Sequence, residues 1–176
     1  MVLAVPAPAN GVAGVDITAA FWNAQVRDAV NFLANPPLCS VVQTVTQSIP
    51  NNAFTAVLFD TNVGDTYSGH STTTNTSRYV AQVAGWYQVT GQIALPTTST
   101  GVREARIHKN GTAVAGSAAQ VAPGGQAGVA ATLPKQIFLN VGDYVELAAY
   151  QTSGAAQSTA VFSDLCCSME IRWVHM

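Results

Sequence analysis

Between Tyr79 and Leu95 the chain alternates with a period of two. Tyr79, Ala81, Val83, Gly85, Tyr87, Val89, Gly91, Ile93 and Leu95 form a nearly unbroken apolar row; Val80, Gln82, Ala84, Trp86, Gln88, Thr90, Gln92 and Ala94 form the other. In a strand successive side chains point to opposite faces, so the first row is expected inside and the second outside. Tyr87 is then a core residue, and Trp86 is an aromatic on a mostly polar face, where a partner would cover it.

A different period appears earlier, in "DITAAFWNAQVRDAVNFLANPP". Trp22, Val26, Ala29 and Leu33 follow spacings of four, three and four and are flanked by Phe21 and Val30, which predicts a helix with a broad apolar stripe. Asp16 or Thr18 suits its N-cap, and Asn35-Pro36-Pro37 enforces its stop. A lone helix of about four turns is marginal in water without tertiary contacts. The stripe must therefore pack on its own domain, on other copies, or on a larger scaffold. Before it, residues 1–15 read as an extended arm rich in Pro, Ala and Gly.

From Leu38 onward the pattern is all β. Expected strands are Val41 to Ile49, Phe54 to Asp60, Tyr79 to Leu95 with a break, Arg103 to Lys109, Gly128 to Leu133, Gln136 to Leu139, Tyr144 to Tyr150, and Ser158 to Val174 in two pieces. Turn signals separate them: "PNN", "NVGD" at Asn62, "KNGT", "APGG", a second "NVGD" at Asn140, and "QTSGA". Asn110-Gly111 is the strongest hairpin signal, since both residues tolerate the positive φ that tight turns demand. About eight short strands in the region 38–176 point to one mainly β domain, a two-sheet antiparallel sandwich or jelly roll, behind the arm (1–15) and the helical segment (16–37).

Composition narrows the function. Only 9% of residues are charged, against about 25% in a typical domain, and Ala29 to Phe59, Tyr79 to Val102 and Asn110 to Pro134 carry no formal charge. Such a surface loses little on desolvation and suits close packing against other subunits. The net charge of -2 removes the basic footprint that holds nucleic acid. The start lacks the features of a secretory signal, and no apolar run approaches the ~20 residues that span a bilayer; no nucleic acid and no membrane are expected as partners.

Chemistry is sparse. Cys39, Cys166 and Cys167 are odd in number and two are adjacent, which argues against a disulfide framework; the alternation Leu165, Cys167, Met169, Ile171, Trp173 turns Cys167 inward and Cys166 outward. His70 falls in a polar loop, His108 on the polar row of its strand and His175 beside the end of the sequence. No nucleophile, base and orienting group come together, so no catalytic residue, metal or cofactor is expected. Asp60, Asp65 and Asp143 are oxygen donors of the calcium-binding type, while Asp143 more simply accepts hydrogen bonds within a turn. The sequons at Asn75 and Asn110 matter only in a secretory pathway.

Two segments rhyme: "VAGWYQV" at Val83 and "NVGDYVEL" at Asn140 each place Gly two residues before Tyr, at Gly85 with Tyr87 and Gly142 with Tyr144. With "AVLFDTN" at Ala56 and "NTSRYVAQVAGWYQVTGQI" at Asn75, the region Val41 to Val174 resembles the complement globular-head branch of the tumour-necrosis-factor-like jelly rolls. The resemblance implies a compact homotrimer that binds through exposed loops and has no active site. "ITAAFWNAQVRDAVNFL", with its Trp22-Asn23 and Arg27-Asp28 pairs, is similar to a segment of minor tail proteins of tailed bacteriophages.

Together these resemblances imply a non-enzymatic virion protein, assembled in the host cytoplasm and displayed on the particle exterior. Phe21, Trp22, Val26, Val30 and Leu33 form its attachment helix, and its partners are further copies, capsid or tail proteins, and a host-surface glycan. As a minor tail or fibre component it would touch the host through loops such as Gly64 to Ser77 or Gly116 to Gly125. As a capsid decoration it would grip and stiffen the head. The alternative is a bacterial cell-surface or carbohydrate-binding module.

Overall fold

The structure, a computed structural model, describes residues 5–7, 9, 13–14, 16–98, 100–122, 128–162 and 164–176. One helix precedes fourteen strands among these residues. Most of the arm, and residues 123–125 of the expected Gly116 to Gly125 loop, lie outside the described residues.

The helix begins as α-helix at Ala19–Trp22, widens to a π turn at Asn23–Arg27 and returns to α-helix at Asp28–Ala34. Thr18 caps it, its hydroxyl accepting the Phe21 N–H at 3.1 Å, and the helix stops at Asn35 ahead of the two prolines, which cannot continue it. The π turn inserts one residue's worth of slack, marked by the Asp28 N–H reaching back five residues to the Asn23 carbonyl.

Six strands build the first sheet: β1 (Leu38–Val42), β4 (Thr61–Asp65), β6 (Gly85–Leu95), β10 (Gly128–Ala131), β11 (Lys135–Leu139) and β14 (Ser168–His175). Their order is β10-β6-β14-β1-β4, with β11 also on β6, and all pairs are antiparallel. Opposite lies the second sheet of β3 (Thr55–Ala56), β5 (Arg78–Val80), β7 (Arg103–Lys109), β8 (Thr112–Ala113), β9 (Ala119–Val121) and β12 (Tyr144–Gln151), in which β12 pairs β3, β5 and β7. The short β2 (Ser48–Ile49) and β13 (Gln157–Ser158) pair with each other at one end.

The core fills the space between the sheets, with Val41, Tyr87, Val89, Ile93, Met169 and Ile171 from the first facing Ala105, Ile107, Val145, Leu147 and Ala149 from the second, all essentially inaccessible. The nine residues of the expected inner row, Tyr79 to Leu95, are all buried. Of the outer row, Ala94 is buried too, because the loop before β14 covers that end of β6, where the Ala160 N–H donates to the Ala94 carbonyl. The break in the run lies between β5 and β6, where the two strands join opposite sheets.

The tetrapeptide "NVGD" occurs twice and folds two ways. At Asn140 it is the expected turn, with Gly142 at φ +89° and the Asp143 carboxylate accepting the Asn140 N–H at 2.9 Å, the Asn110 amide at 2.8 Å and the Lys109 ammonium at 3.0 Å. At Asn62 the turn expectation fails: the residues lie in β4, an edge strand on β1 with a bulge at Ser40/Val41. An exposed edge tolerates such polar residues. Phe54 to Asp60, expected as a strand, pairs only at β3; Val57 then donates to Leu147 and Phe59 to the Thr76 carbonyl, while Asp60 turns back to bind Thr44 and Val45. Val41 to Ile49 is interrupted after Val42 by Gln43, buried and bonded to the Leu58 carbonyl. The Asn110-Gly111 hairpin forms as expected, with φ +49° and +78°, joining β7 to β8.

Hydrogen bonds from Asn110 and Asn140 and the neighbouring Lys109 charge hold the Asp143 carboxyl well below the usual carboxylate range. A depressed folded-state pKa stabilises the fold above the unfolded-state value near ~3.9, and that stabilisation is lost as pH falls through the lower folded-state value. Asp143→Ala should therefore cost about 1–3 kcal/mol at pH 7, and the gap from wild type in urea unfolding should narrow only at strongly acid pH. An unchanged gap across the acid range would show that the carboxylate charge is irrelevant to the turn.

Candidate assembly and attachment surfaces

The helix meets the jelly roll through Phe32, its one buried side chain among the described residues. The Phe32 ring stands edge-on to Trp173 at 4.9 Å and to Tyr67 at 6.4 Å. Trp173 in turn donates its indole N–H to the Ala84 carbonyl at 3.1 Å, over Gly85, whose φ of +144° and missing Cβ make room for that indole. This explains the glycine that precedes Trp86-Tyr87: it lets Trp173 close the helix end of the sandwich. Tyr87 lies inside as expected, its hydroxyl donating to the Val83 carbonyl at 2.6 Å.

Half of the apolar stripe stays open. Trp22, Val30 and Leu33 are 54%, 56% and 72% exposed, and Phe21, Val26 and Ala29 are half-buried. Phe32 lay outside the sequence-derived stripe, although it stands at helical spacing from Ala29 within the regular segment Asp28–Ala34. The helix thus carries two apolar faces, one spent on its own domain and one open.

A second surface is the outer face of the first sheet. Strand register brings Gln88, Arg172 and Leu38 into one row across β6, β14 and β1, and Thr90, Glu170 and Ser40 into the next. These residues line a shallow concavity of about 350 Å³. Toward the helix end the face becomes aromatic: Trp86 is 37% exposed, edge-on to Phe138 at 5.7 Å and stacked on His175 at 6.2 Å. Amides, hydroxyls, one carboxylate, one guanidinium and an aromatic rim make a face that carries both signs of charge, so covering it requires a partner for each charge.

Elsewhere, polar groups serve the fold. His70, expected in a polar loop, is buried; its Nδ1 is 2.6 Å from Asn62 Oδ1 and its Nε2 is 3.0 Å from the Thr76 carbonyl. The Asp65 carboxylate accepts the N–H groups of Gly69 and His70 at 3.1 and 2.8 Å. His70 and Asp65 thus brace the Gly64 to Ser77 loop from within, a role that hydropathy cannot register. His108 accepts from Arg106 at 2.8 Å on the second sheet. Asp60, Asp65 and Asp143 serve three separate loops, and no three His, Cys, Asp or Glu side chains converge among the described residues. Burial pushes the Cys39 thiol up to about 12 and that of Cys167 up to about 11; both stay protonated and act as small core hydrophobes. Cys166 points outward, half-buried.

No family model and no curated protein matches this chain. Similar solved structures include the globular domain of zebrafish complement 1qA protein (12% identity, TM-score 0.55, 79% of this chain and 98% of that one), the Eiger TNF of S. frugiperda (14%, 0.57, 80% and 94%) and PRD1 vertex protein P5 (18%, 0.55, 79% and 97%). At these identities the likeness establishes the fold: this chain is a two-sheet jelly roll of the kind those proteins share.

Proposed function

We propose that this chain is a non-enzymatic, homotrimeric structural protein on the exterior of a tailed-phage particle, fastened by its N-terminal arm and helix and displaying its jelly roll outward, as a tail or fibre component or a capsid decoration. The observation that carries the reading is the helix, docked on its own domain through Phe32 while Trp22, Val30 and Leu33 stay open. A helix with a spare apolar face at one end of a jelly roll is the arrangement an anchor requires. Likeness in fold to a phage vertex protein supports the setting.

The outer face of the first sheet is the proposed contact between copies. Glu170 and Arg172 stand two residues apart on β14 and neither has a salt-bridge partner among the described residues, so a neighbouring copy can supply the opposite charge to each. The full chain should sediment as a trimer at micromolar concentration, and Arg172→Glu should shift it toward monomer. Antibody labelling of intact particles should then place the protein on the exterior of head or tail. A monomeric wild type would sink the assembly, and absence from purified particles would sink the virion role.

A further inference from the structure

On the outer face of the second sheet one histidine stands between a cation and an anion. The outward residues of β7 and β12 fall opposite one another in register: Glu104 with Tyr150, Arg106 with Ala148, and His108 with Glu146. Arg106 has no carboxylate partner among the described residues. Its guanidinium lies instead over the Phe54 ring, 3.2 Å from the ring centre, and Phe54 is stacked on Tyr150 at 4.6 Å. The Arg106 Nε–H donates to His108 Nε2 at 2.8 Å. An arginine can only donate, so Nε2 is the bare nitrogen of this imidazole and the ring proton sits on Nδ1.

Across the ladder, Glu146 is buried. Its Oε1 accepts from Ser77 Oγ at 2.7 Å and from Arg78 Nε at 3.1 Å, which leaves Oε2 free among the described residues. Arg78 in turn covers the Tyr144 ring at 4.0 Å. The other neighbours of His108 bring no charge: β8 places Ala113 opposite it, and Phe54 stands 6.4 Å away. Lys109 turns to the other face of β7, where it binds Asp143 and the Phe138 carbonyl. Burial and the Arg106 charge hold the His108 pKa below its ordinary value, against the pull of the Glu146 carboxylate.

A proton added to Nε2 changes which neighbour the ring can hold. The Arg106 Nε–H then meets a second N–H, loses its acceptor and stands beside a like charge. The new N–H of His108 is a donor that the Glu146 carboxylate can take. We propose that His108 is a pH-operated latch: neutral, it ties Arg106 down over Phe54; protonated, it turns to Glu146 and releases the arginine, which uncovers the Phe54 ring. This face stays open when copies meet through the first sheet, so its exposure on a particle rests on that proposed contact; the latch itself does not.

Nuclear magnetic resonance of the full chain from about pH 8 to about pH 5, the range over which histidines change charge, tests the latch. His108 should take up its proton below the ~6.5 of a free histidine. The Arg106 Nε–H and Cδ–H signals, the latter displaced by the Phe54 ring, should move to the positions of a free arginine with the same midpoint. His108→Gln offers Arg106 an amide oxygen that does not titrate, so the Arg106 signals should then hold across the range. Glu146→Gln removes the carboxylate that favours the charged ring and should shift the His108 midpoint further down. Both variants are checked as folded by circular dichroism, and the wild-type titration decides alone if either fails. Arg106 signals that stay in place in wild type, or that move equally in wild type and His108→Gln, overturn the latch. So does a His108 ring that stays neutral to about pH 5 or titrates at or above the free value. An unmoved midpoint in Glu146→Gln overturns the exchange to the carboxylate. Every measurement reads purified protein in whichever oligomeric state it takes, so failure here leaves the contact between copies and the particle location standing.

Discussion

Phe32→Ala should lower the unfolding temperature by about 6 to 12 °C and release the helix while leaving the jelly roll folded. Removing a buried phenylalanine costs about 3 kcal/mol or more, and a chain of this size loses roughly 2–4 °C per kcal/mol. The ring is 7% exposed and makes edge-on contacts with Trp173 and Tyr67, geometries that add to simple area burial. Once the dock is gone, the helix is a short isolated segment below the length at which helices hold themselves together in water. Circular dichroism should show a loss of helical signal with the β signal retained, and proteolysis should cut near Asn35. A Tm within about 1 °C of wild type would show that the helix does not depend on Phe32, and with it the two-faced reading of the helix would fall. Phe32→Leu should recover much of the loss, since it restores apolar volume at the same place.

How far such a structure can be read from its sequence depends on which force sets each part. Alternation identified the inner row of β6, since a strand buried on one face against a second sheet leaves a period of two in the chain. Caps and prolines placed the helix within a residue or two, because they act locally. The two "NVGD" segments mark the limit: identical residues make a turn at Asn140 and an edge strand at Asn62, and the decision lies with β1, over twenty residues away in the chain. Phe32 was hidden because Ala29, Val30, Phe32 and Leu33 are all apolar in one short helical segment, and periodicity alone does not say which of them the domain covers. His70 and Arg103 were hidden for a different reason: polar side chains are read as exposed, and only the three-dimensional packing reveals that these two are buried. That class of residue is where sequence reasoning has least reach and where a buried polar group has most to explain.

Trp22→Ala should have the opposite profile to Phe32→Ala, leaving the isolated protein almost unchanged and removing it from the particle. Trp22 is 54% exposed in the free chain, so its loss should fall within the ±0.5 kcal/mol usual for surface substitutions. If the open stripe of Trp22, Val30 and Leu33 seats on a virion protein, burying the indole is worth about 1.5–3 kcal/mol per copy. In a trimer the effect acts at up to three points, and three losses of ~1.5 kcal/mol correspond to a roughly thousandfold fall in attachment. Particles assembled with the variant should therefore lack the protein, although the soluble trimer forms normally. Trp86→Ala separates the two surfaces: Trp86 lies on the outer face of the first sheet against Phe138 and His175, so its loss should weaken the trimer itself. If Trp22→Ala melted the jelly roll, the indole would belong to the core; if it joined particles at wild-type occupancy with the trimer intact, the anchor would lie elsewhere on the chain.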